Sequence, residues 1–313
     1  MADRAELLCI CGPTASGKTT LAVQLAKQLN GEVVSADSMQ IYQGLCIGTA
    51  APDESEMQGI PHHLIGTLPP DMPCSAADYA ALAAEAVADI ASRGKTPILC
   101  GGTGLYLQSF LEGVRFSSQE NNEAVRKALQ QELAQQGVQT LYARLCQLDP
   151  QGAKAIHPNN HVRVLRALEL LQATGLTAAQ RAQISKPKQS PYRALVIALG
   201  FADRARLYAR IDNRVDAMME AGLLQEAALV YRHRDTWQGA ARAIGYKELF
   251  PFLENKAPLE ECVAQLKQAS RHYAKRQLTW FRHMEGVLWL AAEDACLQKE
   301  AIQAWQDFTK QSR

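Results

Sequence analysis

The stretch Gly12-Pro13-Thr14-Ala15-Ser16-Gly17-Lys18-Thr19 places two glycines, four residues between them, ahead of a lysine and a hydroxyl residue. That spacing is the phosphate-binding loop pattern. Small residues let successive backbone N–H groups turn in on phosphate oxygens, the start of a helix adds positive potential, a lysine brings a full charge, and a hydroxyl suits Mg²⁺. Gly12, Pro13, Thr14, Ala15, Ser16, Gly17, Lys18 and Thr19 are therefore expected to hold a di- or triphosphate, with Thr19 as the metal ligand. A second chemical group is Asp37, a carboxylate that can serve as Mg²⁺ ligand, as general base, or merely as the cap of a helix opened by Ser38. A third is the series Arg206, Arg210, Arg214, which recurs every four residues along one helical face. Such a ladder could neutralise a leaving diphosphate, Arg214 first and Arg210 second, or it could pair on the surface with Asp203 and Asp212. Gly101-Gly102-Thr103-Gly104-Leu105-Tyr106 is a weaker signal, a second glycine turn that brings backbone close to a ligand.

The elements around these groups must deliver them to one place. Leu7–Cys11 reads as a buried strand and Thr20–Leu29 as a helix with Leu21, Leu25 and Leu29 in a stripe, so the loop has the strand and helix it needs. Glu32–Ala36 is a second strand that ends at Asp37, and Pro97–Cys100 is a third that ends at the second glycine turn. Ligands of open parallel sheets bind at the carboxyl ends of strands, which puts Asp37 on the rim of the phosphate loop. Residues 41–73 read as a long loop containing His62 and His63, whose adjacency does not make a chelating pair; Ser75–Ser92 reads as a helix with Asp78 near its start. Residues 113–190 break the alternation with helical periodicity over Asn121–Gln136, Thr140–Leu148 and His161–Ala173, and a strand returns only at Ala194–Leu199. From Asp203 onward the chain reads as helical. The expected fold is α/β, a P-loop NTPase-like parallel sheet flanked by helices over residues 1–112 and 191–313, with an all-helical insertion domain over 113–190.

Composition narrows the partners. The chain has 313 residues, 47% hydrophobic, with eight cysteines and no Cys-x-x-Cys pair, so zinc is improbable and the thiols read as buried groups of a reducing compartment. With no signal peptide and no apolar run of membrane length, a cytoplasmic enzyme without membrane association is expected; a monomer is the default, with no obligate protein partner. The net charge of +1 is unevenly spread: residues 1–160 carry 10 Lys+Arg against 16 Asp+Glu, residues 161–214 carry 10 against 3, and residues 215–313 carry 13 of each. Arg163, Arg166, Arg181, Lys186, Lys188 and Arg193 form one basic stretch; Lys267, Arg271, Lys275, Arg276 and Arg282 form another, with Arg271, Lys275 and Arg282 in one helical arc opposite Tyr273, Trp280 and Phe281. Two such patches suggest a polyanion site, although solvated basic faces are an equally ordinary reading.

Taken together, the motifs resemble the bacterial tRNA dimethylallyltransferase (tRNA isopentenyltransferase) family. The likeness runs through Gly12–Thr19, Asp37–Tyr42, Gly48–Ala50, Pro61–His63, Gly101–Tyr106, His157–Asn159, Ile244–Tyr246 and Tyr273–Arg282. It implies transfer of a dimethylallyl group from dimethylallyl diphosphate to N6 of the adenosine 3′-adjacent to the anticodon, with Mg²⁺ as cofactor and the tRNA anticodon stem-loop as partner. The resemblance implies donor binding by Thr14 through Thr19. It implies tRNA contact by Asp37, Ser38, Met39 and Gln40, by Thr103 and Arg126, by Val162, Arg163, Val164, Leu165 and Arg166, and by Arg242, Ala243, Ile244, Gly245, Tyr246 and Lys247. Arg271, Lys275 and Arg282 add a second grip, and Asp37, Lys18, Thr19 and Arg214 are the expected catalytic groups. The chain departs from the family pattern at Val162, where Gln is usual, and at Gly66 and Ser270. The competing readings are an ATP-dependent small-molecule kinase, a prenyltransferase that accepts free AMP, and a nucleotide-switched RNA-binding module. The first two would leave the basic patches without a use, and the third would leave Asp37 and the arginine ladder idle.

Overall fold

The computed structural model describes residues 4–114, 123–185, 187 and 189–311. The chain divides into two compact units, Met1–Leu111 with Pro191–Arg313, and Glu112–Ser190. In chain order the first unit begins with β1 (Ala5–Cys11), α1 (Lys18–Leu29), β2 (Gly31–Ser35), α2 (Glu54–Met57), β3 (His62–His63), α3 (Ala76–Ser92), β4 (Thr96–Gly101) and α4 (Gly104–Leu111). The second unit holds α5 (Glu123–Leu148), α6 (Pro150–Lys154), α7 (His161–Thr174) and α8 (Ala178–Ser185). The first unit resumes with β5 (Tyr192–Gly200), α9 (Arg204–Glu220), α10 (Leu223–Arg232), α11 (Gln238–Ala241), a 3₁₀ turn (Lys247–Leu249), α12 (Phe250–Leu253), α13 (Leu259–Arg282), β6 (Val287–Ala291) and α14 (Leu297–Lys310).

The strands form one parallel sheet in the order β3-β2-β4-β1-β5-β6. Side chains of a strand point alternately to its two faces, and here both faces are covered, so the central strands are apolar throughout. Leu7, Cys9 and Cys11 pack with Val34, Leu99 and Ala198 under Tyr79, Ala83 and Val87 of α3, Phe110 of α4 and Phe281 of α13. Leu8 and Ile10 pack with Val33, Ile98 and Ile197 under Leu21 and Leu25 of α1 and Trp305 of α14. Local signals set the ends of the helices. Asn30 at φ 48 stops α1 by donating to the Ala26 carbonyl, and Ser75 with Asp78 forms a capping box at the start of α3. All eight cysteines are free, with Cys9, Cys11 and Cys100 buried.

Two strands differ from the sequence reading. His62 and His63 form β3, paired with Val33 and Val34, where a loop is expected, and β6 follows a region read as wholly helical. Both are short edge strands, one of two residues and one of five with Leu288 and Trp289 exposed, so neither carries the long apolar run that marks a buried strand. The second unit buries Leu129, Leu141, Leu145, Val164 and Leu168 against one another, with α5 broken at Gly137 (φ 76). The expected helix start at Asn121 and the cations Lys186 and Lys188 lie outside the described residues. Among the described residues no helix is long and apolar enough to cross a membrane.

Candidate active site

The carboxyl ends of β1, β2 and β4 open onto a cavity of about 370 Å³. The phosphate loop forms one wall. It starts at Gly12 (φ 140), where a side chain would run into the Leu199 backbone, and ends at Gly17 (φ 86), the residue before α1. Only glycine takes both conformations without strain. Thr14, Lys18 and Thr19 line the cavity, and so do Asp37, Ser38, Met39, Gln40, Arg214, Arg242 and Gln277.

The polar groups are held by bonds that cross between elements. Asp37 Oδ1 accepts from the Met39 N–H (2.9 Å), a turn that fixes the carboxylate at the end of β2. Beside it the Ser38 N–H donates to Thr103 Oγ1 (3.0 Å), and the Thr103 N–H donates to the Ala36 carbonyl (3.1 Å), joining the two strand ends. Gln40 is tied down at both ends: Ser35 Oγ donates to its Oε1 (3.0 Å) and its Nε2 donates to the Ala50 carbonyl (3.0 Å). Its amide therefore shapes the cavity wall in this structure.

Gln277 of α13 is a residue that sequence reasoning missed. Its side chain is buried, its Oε1 accepts from the Thr14 N–H (2.9 Å) and its Nε2 donates to the Gly102 carbonyl (2.9 Å). It joins the two glycine turns, and a methyl at Gly102 would displace the Gln277 amide from this position. The available signal was a glutamine three residues after Ala274 and four before Phe281, a polar residue on the buried stripe of an amphipathic helix. Its bond also occupies a donor of the phosphate loop at Thr14. That backbone N–H is already engaged, and the Thr14 hydroxyl accepts from Arg214 Nη1 (3.2 Å).

The cations separate by position. Lys18 Nζ donates to the Pro13 carbonyl (2.7 Å), and burial pulls its pKa down to about 8, against smaller upward pulls from Cys100 and Asp37. Arg214 reaches Thr14 and the Ala50 carbonyl (3.4 Å); burial lowers its pKa and Asp37 opposes that. Arg210 lies beside Gly17, its Nη2 3.7 Å from where a β-carbon would stand. Arg206 instead pairs with Glu293 (3.2 Å), so the ladder delivers its last two rungs to the loop and not its first. Asp203 caps α9 and Asp212 binds Arg271, which removes both from the competing pairing with the ladder. For a divalent ion the donors at hand are the Thr19 hydroxyl and the Asp37 carboxylate, and in the same loop Ser16 Oγ is buried with no hydrogen-bond partner among the described residues. Hard oxygen donors next to a phosphate cradle fit Mg²⁺, which keeps waters and takes substrate oxygens. No cluster of three or more His, Cys, Asp or Glu is found among the described residues.

The segments expected at tRNA are mixed in character. Arg242 and Lys247 are exposed, and Ala243, Ile244 and Gly245 line the cavity. Tyr246 is fully buried and packs on Gly48, so its side chain is a core element and its assignment to RNA contact is corrected. In the second unit Val162 and Arg163 are exposed, Leu165 is half-buried, and Val164 is fully buried in the helical core, which corrects it likewise. Arg126 and Arg166 both clasp the buried Glu169, at 3.0 and 3.1 Å. Arg193 is taken out of the basic stretch: it pairs with Glu6, bonds the Phe308 carbonyl and lies over the Phe308 ring. On α13, Arg271 pairs with Asp212 (2.6 Å) and Lys267 with Asp216 (2.6 Å), while Lys275 and Arg282 line a small surface groove with Arg204 and make no ion pair among the described residues.

A glycine cradle between β1 and α1, on a parallel sheet with helices on both faces, defines a P-loop NTPase-like protein. The profile of the family described as IPP transferase matches residues 40–284. The chain is 47% identical over 283 residues to the tRNA dimethylallyltransferase of Bacillus subtilis (strain 168), covering 90% of each. It is 43% identical over 305 residues to that of Roseiflexus sp. (strain RS-1), covering 96% of this chain and 99% of the relative. Among solved structures it is similar to the full-length tRNA isopentenylpyrophosphate transferase of Bacillus halodurans, with TM-score 0.71, 40% identity and 99% of both chains covered. It is also similar to a eukaryotic dimethylallyltransferase acting on tRNA, with TM-score 0.82, 31% identity, and 98% of this chain and 80% of that one covered. The chain belongs to the IPP transferase family, and its enzyme class is that of a prenyl-group transferase.

Proposed function

We propose that the cavity transfers a dimethylallyl group from dimethylallyl diphosphate to N6 of the adenosine 3′-adjacent to the anticodon of a tRNA, releasing diphosphate. The observation that carries this reading is that Asp37 faces the same cavity as Lys18, Thr19 and Arg214, a base on one side and a diphosphate cradle on the other. The N6 lone pair forms the bond to the allylic carbon as the carbon–oxygen bond breaks, and that electron pair leaves on the diphosphate. The N6 proton passes to the Asp37 carboxylate, which the Met39 N–H holds in place. An exocyclic amine conjugated with a purine is a weak nucleophile, so this transfer must accompany bond formation. Lys18 and Arg214, with Arg210 beside the loop, take up the charge that develops on the leaving group. Mg²⁺ held by Thr19 would supply a further positive charge to the same oxygens.

At about 370 Å³ the cavity has the volume of a small-molecule site, so a tRNA enters it only by one extruded base. The exposed cations Arg163, Arg242, Lys247, Lys275 and Arg282 are suited to the backbone of the anticodon stem-loop. The enzyme on this reading is a cytoplasmic monomer that needs no protein partner. The test offers dimethylallyl diphosphate or ATP as donor and unmodified tRNA or AMP as acceptor, with Mg²⁺. Prenylated adenosine in tRNA supports the reading, and phosphorylation, or prenylation of AMP alone, overturns it. Asp37→Ala is expected to cut single-turnover prenyl transfer by about 10²–10⁴-fold while tRNA affinity changes little. A loss of affinity with the transfer rate intact would make Asp37 a binding residue instead.

A further inference from the structure

We propose that Glu226 of α10, which does not line the cavity, is a positioning residue for the transfer step and acts through Arg214. Its carboxylate accepts three consecutive backbone N–H groups: Cys46 (2.9 Å) and Ile47 (3.0 Å) on Oε2, and Gly48 (2.7 Å) on Oε1. The Tyr246 hydroxyl donates to Oε1 as a fourth bond (2.8 Å). The loop held in this way runs directly into the two residues that touch the site. The Thr49 and Ala50 carbonyls accept from Gln40 Nε2, and the Ala50 carbonyl also accepts from Arg214 Nη2. Ala50 sits at φ 48, a conformation that an L-residue adopts only when its surroundings impose it. Those surroundings are the Glu226 clasp together with Gly48, where a β-carbon would fall on the Tyr246 ring, and Gly245, where a β-carbon would stand 3.2 Å from the Gly48 carbonyl. Gly48-Thr49-Ala50 and Ile244-Gly245-Tyr246, far apart in sequence, are two sides of one contact.

The chain of bonds therefore runs from Glu226 through the Cys46–Ala50 backbone to the Arg214 guanidinium. Without the carboxylate the loop loses its common acceptor, the Ala50 carbonyl moves, and Arg214 is no longer fixed toward the leaving group. The proposal rests on the reading of Arg214 as a cation for the departing diphosphate. The test is a double-mutant cycle of Glu226→Gln and Arg214→Ala, read by kcat and by KM for tRNA, with Tm as the check that each variant folds. Glu226→Gln is expected to lower kcat about ten- to a hundredfold with little change in KM for tRNA, as misplacement of a catalytic group at a distance does. The double variant is expected to match Arg214→Ala alone, because the effect passes through that arginine. A double variant slower by the product of the two single effects overturns the proposal. An Arg214→Ala enzyme with unchanged kcat overturns the Arg214 reading itself. Should Glu226→Gln not fold, Tyr246→Phe, which removes one of the four bonds, takes its place, and a kcat loss that persists in the Arg214→Ala background again overturns the proposal.

Discussion

Lys18 changes charge near pH 8, and this has a measurable consequence. Its ammonium is buried against the Pro13 carbonyl, and desolvation lowers its pKa to about 8. Below that pH the free enzyme presents a cation to the diphosphate; above it the cation is lost and donor capture weakens. A bound diphosphate favours the charged form, so kcat holds to higher pH than kcat/KM does. The expected kcat/KM profile for dimethylallyl diphosphate turns down on the alkaline side near pH 8. A profile that stays flat well beyond that point would show Lys18 charged throughout. Gln277 makes a related point, because a neutral side chain on a distant helix holds the phosphate loop against the second glycine turn.

At the scale of elements, the end of the sheet opposite the cavity is fastened by a single carboxylate. Glu32, at the start of β2, has its side chain 3% exposed and takes Arg93 from the end of α3 (2.8 Å), Lys95 ahead of β4 (2.6 Å) and His63 of β3 (2.7 Å). The Arg93 bonds, more than those of Lys95 and His63, hold its pKa far below the ordinary carboxylate value of 4.5. The sign follows from linkage: a depressed carboxylate contributes fully above its ordinary value and loses that contribution as pH falls toward the folded one. Arg93→Ala leaves the buried Glu32 with two partners and is expected to lower stability near neutral pH. Denaturant unfolding of wild type and variant should converge as pH falls below 4.5; a constant gap would place the effect in the helix end and not in Glu32. The clamp also accounts for β3, since an isolated two-residue strand has no stability of its own and His63 is held to β2 by this bond.

For the whole molecule, the charge map counts only after ion pairs are subtracted. The net charge of +1 conceals a basic stretch on α13, yet Arg271 and Lys267 spend their charge on Asp212 and Asp216 of α9. Lys275, Arg276 and Arg282, with Arg204 nearby, are the cations of that helix left for a polyanion. Removing Lys275 and Arg282 together is expected to weaken tRNA binding and reduce the magnitude of the log–log salt slope by about 1.5–2. Arg271→Ala should leave the slope unchanged and lower the Tm instead. A slope that responds to Arg271 and not to the other two would reverse these roles.

The phosphate loop, Asp37 and the four buried strands were legible in the sequence, because each rests on a local rule: glycine spacing, a carboxylate at a strand end, a short apolar run between turn residues. The family likeness rested on separated motifs in fixed order, and the comparisons bear it out. Arg214 and Arg210 could be singled out as a pair, but only the packing of α9 showed that Arg206 turns to Glu293. Gln277 reaching the phosphate loop 263 positions away, Glu226 gathering a loop 178 positions before it, and Tyr246 and Val164 turning inward are decisions of the tertiary structure alone. Local sequence encodes backbone preference and the chemical kind of a side chain. Which partner satisfies a buried polar group depends on which distant segments the core brings within 3 Å, and that geometry exists only once the sheet and its helices have packed.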